Sequence, residues 1–499
     1  MARRGDMRRP RGVKAEFDEG WVATARGGAV LIEQAIRRLG LRRALREELG
    51  DGPGLYGPAL VAEQLIAGLL GGGRGFQATE IFAGDRELAR LFGFGPVASG
   101  ATVYRAVCAM AGLGQRRRED VYTEAGPHLA SLDIFGRPLR VPQLRRLVPA
   151  EPEAMSEERG GVLRALLSRT AVRLGKSLRA ADLRLFGFVP VFGDGTDLEV
   201  RGRCFDAARR NHKGDFCLRA VTVMAGPLLL GLSVLPGNSD EGRALPAVLG
   251  RSAKAVKELA GKRPVLALLD AAFAEREIIE TLGTLEWKFL VCANQTSGPL
   301  EKMALGQPPW RWEETGPDAS RGWAESAVLT MRHWPEGWPA PVTVIARRYR
   351  KEGEFVYRYS FLYTNLSPED LPRKHVRKHG FASLLWQIYG TKQGRENTFK
   401  TLLTDMGQHH PPSGRLGASE AFAHLAAIAA NTHTFIARRA VPEEDRGIRH
   451  WRLLRDYILI PGVLVMQAGR RLLVRLAGGG LPWERKRRFL LAQSALGGT

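Results

Sequence analysis

The feature that most constrains this chain is a pair of short apolar runs, each closed by an aspartate. Residues 188–192 lead into Gly193-Asp194-Gly195-Thr196, and residues 265–269 lead into Asp270-Ala271-Ala272-Phe273. Apolar runs of this length, bounded by turn residues, read as buried strands. Around them, 216–224 and 228–235 read as two further strands joined at Ala225-Gly226-Pro227. Residues 241–260 and 275–282 read as helices and 287–292 as another strand. Three strands, helix, strand, helix, strand make a mixed α/β sheet. Ligands of such sheets bind beyond the carboxyl ends of strands, which makes Asp194 and Asp270 candidate site residues. Taken singly, each has an ordinary use as a helix N-cap or turn former. Two on strands that could be neighbours are another matter, because like charges are costly together unless a cation neutralises them, and aspartate oxygens suit Mg²⁺. Asp197 and Asp240 are nearby acids of the same chemistry; the Gly-Asp-Gly-Thr setting favours Asp194. Pro190 falls inside the first run, where its missing ladder donor argues for a strand that starts late.

A third acid comes from residues 381–403, which read as one helix. Tyr389, Lys392, Glu396 and Lys400 recur at spacings of 3, 4 and 4, so all four project from one side of it. An aromatic ring, two cations and an acid make a poor core stripe. The plain alternative is a solvated face carrying a Glu–Lys pair.

GDGT at Asp194, LLDAAF at Asp270 and YGTKQGRENTFKTL at Glu396 together resemble the DDE transposases of bacterial insertion sequences, in the branch whose ribonuclease H-like core is interrupted by a β-rich insertion. The helix follows that family's pattern of tyrosine, two residues, a basic residue, three residues and glutamate. LPGNSDEGRALP after the third strand and FLYTNL before the helix add to the likeness, which spans about residues 186–440. Lys392 stands where the family usually has Arg. Leu403 stands where it usually has Lys, with Lys400 one turn nearer to take over that contact. The resemblance implies that Asp194, Asp270 and Glu396 are catalytic and hold two Mg²⁺ ions, with Mn²⁺ as a substitute. It implies cut-and-paste transposition: cleavage at the element ends, then attack of the freed 3′-hydroxyl on target DNA. Tyr389, Lys392, Lys400 and Arg395 would contact DNA. The partners it implies are double-stranded DNA, as terminal inverted repeats and target, and a second copy of the chain in a homodimer assembled on that DNA. Two other readings remain: a ribonuclease H-like nuclease that only cleaves, and a transposase-derived DNA-binding protein without activity.

Charge points to the same partner. Lys and Arg number 74 against 52 Asp and Glu, a net +22 with a sequence pI near 10.3, and such an excess favours nucleic acid over an anionic membrane. The alternative is free use of Arg in a basic housekeeping protein. The first ~14 residues read as a disordered basic arm that orders on phosphates. Helical periodicity follows from Ala29 to about Gly114, with Leu31, Ile32, Ala35, Ile36 and Leu39 on one face, and further runs at 58–70, 79–92 and 102–110. The last two, around a Gly/Pro turn, permit a helix-turn-helix whose second helix offers Thr102, Tyr104 and Arg105 to DNA. Five of the ten tryptophans lie between Trp310 and Trp338, among strand candidates at 327–331, 342–346 and 355–364. Core packing is the ordinary use of such rings; stacking of an exposed base is the other, with Trp323 the expected residue.

The expected division is a basic arm and helical DNA-binding domain (1–130), a linker region (131–185), the first part of the catalytic core (186–293), the β-rich insertion (294–378), the second part with the Glu396 helix (379–445), and a basic helical C-terminal region (446–499). Four scattered cysteines give neither a disulfide scaffold nor a zinc spacing. No apolar stretch reaches the ~20 residues of a membrane span. A soluble, cytoplasmic, nucleoid-associated protein is the expectation.

Overall fold

Val13, Ala15 and Phe17 alternate along GVKAEFD with the period of a strand, and Gly12–Asp18 is strand β1. The computed structural model describes residues 12–18, 24–114, 152–200, 205–211, 213–293, 298–392, 401–467 and 471–497. The basic arm expected to reach residue 14 therefore ends in a strand.

Six helices follow: α1 (Val30–Arg38), α2 (Leu41–Leu49), α3 (Pro58–Leu70), α4 (Glu80–Ala83), α5 (Arg86–Phe92) and α6 (Gly100–Met110). The expected face of α1 is buried at every position. Arg42 donates to Glu33 Oε1 at 2.8 Å and also pairs with Glu63, which ties α1, α2 and α3 together. Residues 79–92 are two helices and not one run, because Asp85 leaves the helical conformation and accepts from the Leu88 amide at 2.9 Å as an N-cap.

Helix α7 (Glu157–Ser177) occupies ground that the sequence reading gave to a linker. Leu163, Leu166, Leu167, Ala171 and Leu174 recur at helix spacing and are buried, and Ser156 caps the start. Burial of that stripe makes the segment part of the core.

The sheet strands are β2 (Val189–Glu199), β3 (Arg209–Arg210), β4 (Phe216–Ala225), β5 (Leu228–Pro236), then, after α8 (Glu241–Ala260), β6 (Val265–Leu269), and after α9 (Arg276–Thr284), β7 (Lys288–Cys292). Past α10 (Gly298–Leu305) come β8 (Glu313–Glu314), β9 (Glu325–His333), β10 (Val342–Arg350) and β11 (Arg358–Thr364). All ten form one sheet in the order β3-β4-β2-β6-β7-β11-β10-β9-β8, with β5 also on β4. β2, β6 and β7 are parallel; β4 runs antiparallel to both β2 and β5. The β-rich insertion does not make a sheet of its own. β11 pairs antiparallel with β7, Thr364 opposite Leu290, so the insertion prolongs the core sheet. This is the mixed α/β class expected.

One face of the sheet packs under α8 and α9 through Val191, Leu245, Leu269 and Phe289. The other, through Phe192, Leu268 and Leu290, shares a single core with α12 (Phe381–Gly390), α13 (Leu416–Phe435) and the N-terminal helices, with α11 (Arg373–His379) leading into α12. All 20 residues of α13 are buried, as expected of a helix that is apolar on every side. Its Asn431 side chain holds the Leu229 amide and carbonyl of β5, both at 2.8 Å.

The C-terminal region departs from its helical reading. After α14 (His450–Leu453) come β12 (Gly462–Gln467) and β13 (Arg471–Ala477), and only then α15 (Trp483–Ala495). β13 pairs antiparallel with β12 and parallel with β1, a three-stranded sheet built from both ends of the chain. Among the described residues no helix is long and apolar enough to cross a membrane.

Candidate active site

β2 does not stop at its aspartate. It continues to Glu199, but its parallel partner β6 ends at Leu269, one residue beyond the Phe192↔Leu268 pair, and past that point β2 is held by β4 alone. Continuing the register sets Asp194 beside Asp270, across the ~4.8 Å spacing of neighbouring strands. Both alternate with core residues of the same face, Phe192 and Leu268. Neither is used as a cap. Asp194 lies inside a strand opposite Thr222, and Asp270 precedes a short helical turn without bonding to it through its side chain.

The rival acids are otherwise engaged. Asp197 accepts from Arg219 Nε at 3.0 Å and from Asn211 Nδ2 at 3.0 Å. Asp240 caps α8, accepting from the Gly242 amide at 2.9 Å. Beneath the site, Glu241 pairs with Arg219 at 3.1 Å. It packs so close to the strand that a Cβ at Gly195 would sit 1.7 Å from Glu241 Oε2. That approach explains the second glycine of Gly-Asp-Gly-Thr.

Burial pushes the Asp194 carboxyl up to about 6; Lys392 opposes the rise, and the charges of Asp270 and Glu241 add to it. The rise thus comes chiefly from loss of solvent around the carboxylate. Helix α12 supplies the balancing groups. Tyr389 donates to Asp270 Oδ1 at 3.1 Å and to the Leu269 carbonyl at 3.2 Å, while Lys392, just past the helix, forms an ion pair with Asp270 Oδ2. Burial holds the Tyr389 hydroxyl far above its ordinary range, so it stays a donor. Two carboxylates from adjacent strands, one short of counter-charge and the other drawing an ammonium, are a fitting oxygen donor set for a hard divalent cation.

Glu396, Arg395 and Lys400 lie outside the described residues. Leu403, where a basic residue was the family habit, packs against the core. Of the residues expected on DNA, Arg105 is exposed on α6, whereas Tyr104 of the same helix turns inward onto Phe76, ring centroids 5.5 Å apart.

The five tryptophans divide. Trp312 and Trp338 are buried, Trp310 and Trp334 exposed, and Trp323 is half-buried. Trp323 stacks on Tyr349 with centroids 4.3 Å apart and 24° between planes. Arg347 lies 4.5 Å from its ring and 3.8 Å from that of Trp386 on α12, so a guanidinium bridges the insertion and the helix that bears Tyr389. Burial, with help from Arg321, pulls that guanidinium down to about 10. Trp323, Arg347, Trp386 and Arg321, with Lys378 and Gln387, line a cavity of about 530 Å³.

Sequence reasoning missed Glu241, Arg219 and Arg347. Glu241 stood inside the quoted LPGNSDEGRALP stretch, which was the available signal. Arg219 and Arg347 reach the site from strands whose sequence reads only as sheet.

A mixed sheet with helices at both ends, carrying acids side by side on adjacent central strands, is consistent with a ribonuclease H-like transposase fold. Residues 190–432 match the family model described as the transposase DDE domain. Over those residues the chain is similar to the DDE transposases. Comparison with curated proteins finds no match.

Proposed function

We propose that the protein is the DNA transposase of a bacterial insertion sequence, cutting DNA at the element ends and joining the freed 3′-hydroxyls to target DNA. The observation that carries this reading is the convergence of Tyr389 and Lys392 on Asp270, beside a half-buried Asp194, within a transposase DDE domain. Membership of the family implies divalent-metal use, and we assign Mg²⁺ to Asp194, Asp270 and Glu396. When bound, such ions activate the attacking oxygen and stabilise charge at phosphorus. The chain's own groups do the rest. Tyr389 fixes the orientation of the Asp270 carboxylate. Lys392 exchanges Asp270 for a DNA phosphate, and Arg395 and Lys400 add phosphate contacts that set register without reading bases. Trp323, backed by Tyr349 and Arg347, offers a stacking surface for a base displaced beside the cut. The N-terminal helices, with Arg105 on the exposed side of α6, hold the terminal repeats, and two chains pair on the DNA.

The test is an assay of end cleavage and strand transfer on a duplex carrying the repeats. Asp194→Asn, Asp270→Asn and Glu396→Gln should each reduce Mg²⁺-dependent cleavage to background and leave DNA binding nearly unchanged. Persistent cleavage in any of them removes that residue from the site. Cleavage without joined products in the wild type leaves a nuclease; neither product leaves a DNA-binding protein alone.

A further inference from the structure

The C-terminal end of β2, five residues past Asp194, carries another group of ligand-type side chains. Glu199, the last residue of the strand, is exposed, and the chain beyond residues 401–405 brings His409 and His410 against it. His409 Nε2 lies 3.6 Å and His410 Nδ1 3.8 Å from the same carboxylate oxygen, Glu199 Oε2. His410 Nδ1 is also 3.4 Å from the Glu199 carbonyl oxygen. One ligand atom from each residue lies within 4.8 Å of the others, and the two rings are inclined at 47°.

Imidazole-to-carboxylate separations this long are not hydrogen bonds. They come close to the ~3.4 Å that separates two ligands held ~2.0–2.1 Å from a tetrahedral ion. Among the described residues no Lys or Arg pairs with Glu199, so its charge is left to the two histidines. Two neutral imidazoles and one carboxylate suit a borderline ion such as Zn²⁺, whereas Mg²⁺ prefers oxygen ligands and keeps its waters. Exposure of all three side chains leaves a fourth position to water.

We infer that Glu199, His409 and His410 form a binding site for a zinc-type divalent ion, separate from the paired aspartates. Five residues of strand at ~3.3 Å each put it roughly 16 Å from Asp194, too far to share an ion. An ion there would fasten the strand that carries Asp194 to the chain that leaves residues 393–400, the stretch containing Glu396. The inference does not depend on the transposition chemistry.

Calorimetric titration of Zn²⁺ into the full chain, stripped with a chelator, tests it. The wild type should bind one equivalent, and millimolar Mg²⁺ should not displace it. An Asp194→Asn/Asp270→Asn protein should bind Zn²⁺ as the wild type does. His409→Ala/His410→Ala, at exposed positions that leave the core untouched, should weaken binding by about tenfold or more, with Glu199→Gln following. In the wild type and the double-aspartate variant, but not in the double-histidine variant, Zn²⁺ should slow amide exchange across residues 405–410. Equal affinity in the wild type and the double-histidine variant, or loss of binding in the double-aspartate variant instead, overturns the site.

Discussion

Asp270 divides its carboxylate between two neighbours, Tyr389 on Oδ1 and Lys392 on Oδ2. An ion arriving at Asp270 has to compete with the ammonium of Lys392. Lys392→Met should therefore strengthen Mg²⁺ binding by the DNA-free protein, since the ion no longer has to displace an ammonium paired with Asp270 Oδ2. The same change should slow end cleavage, because the phosphate contact goes with the charge. Calorimetry and a cleavage assay check the two signs; a change in the same direction for both would sink the competition. At this scale much was legible. Asp194 and Asp270 each end an apolar run, and Tyr389 and Lys392 stand three residues apart, all signals contained in a few residues. The engagement of Asp197 by Arg219, which separates it from Asp194, was not legible. It depends on which strand lies beside which.

Helix α13 shows what an element can hide. Burial pushes the Glu420 carboxyl up to about 7 from an ordinary 4.5, with Arg164 and Arg251 opposing, and burial pulls His424, one turn on, down to about 4. Below pH 4.5 Glu420 is protonated whether the chain is folded or not and shifts nothing. Between 4.5 and 7 the unfolded chain ionises while the folded one keeps its proton, so stability falls as pH rises, and the full penalty stands above 7. Glu420→Gln should accordingly stabilise the protein by about 2–3 kcal/mol at pH 8 and hardly at all at pH 4. Urea unfolding at both values checks it, and equal gains at both would assign the effect to packing. The insertion makes a second prediction. Trp323→Ala should leave folding and DNA binding intact and slow end processing by ~5–100-fold, the cost of ~1–3 kcal/mol of stacking. Unchanged rates in folded protein would remove Trp323 from the reaction. Elements announced by local periodicity, such as α1, α3, α8 and β9 to β11, were readable in advance. α7 was masked by its many Arg and Gly residues although its leucines kept the spacing. β12 and β13 owe their state to β1, which lies at the opposite end of the chain, and no local window contains that pairing.

For the molecule as a whole, a net charge of +22 predicts that DNA affinity is mainly a matter of displaced counterions. Log affinity should fall linearly with log salt, by ~0.9 per phosphate neutralised. Fluorescence anisotropy on a duplex across a salt series measures the slope, and a flat line would mean that the basic excess serves something other than DNA. That α13 is enclosed by the sheet, α7, α3 and α6 bears on how such a protein can change its target. Its N-terminal helices are not a cassette. Grafting a foreign recognition module in their place would strip the wall from the helix that supports the catalytic sheet. Under the proposed function, new specificity has to arise by exchanging outward side chains, such as Arg105, on a scaffold that stays where it is, so the terminal repeats and the protein proposed to cut them would drift in small, matched steps.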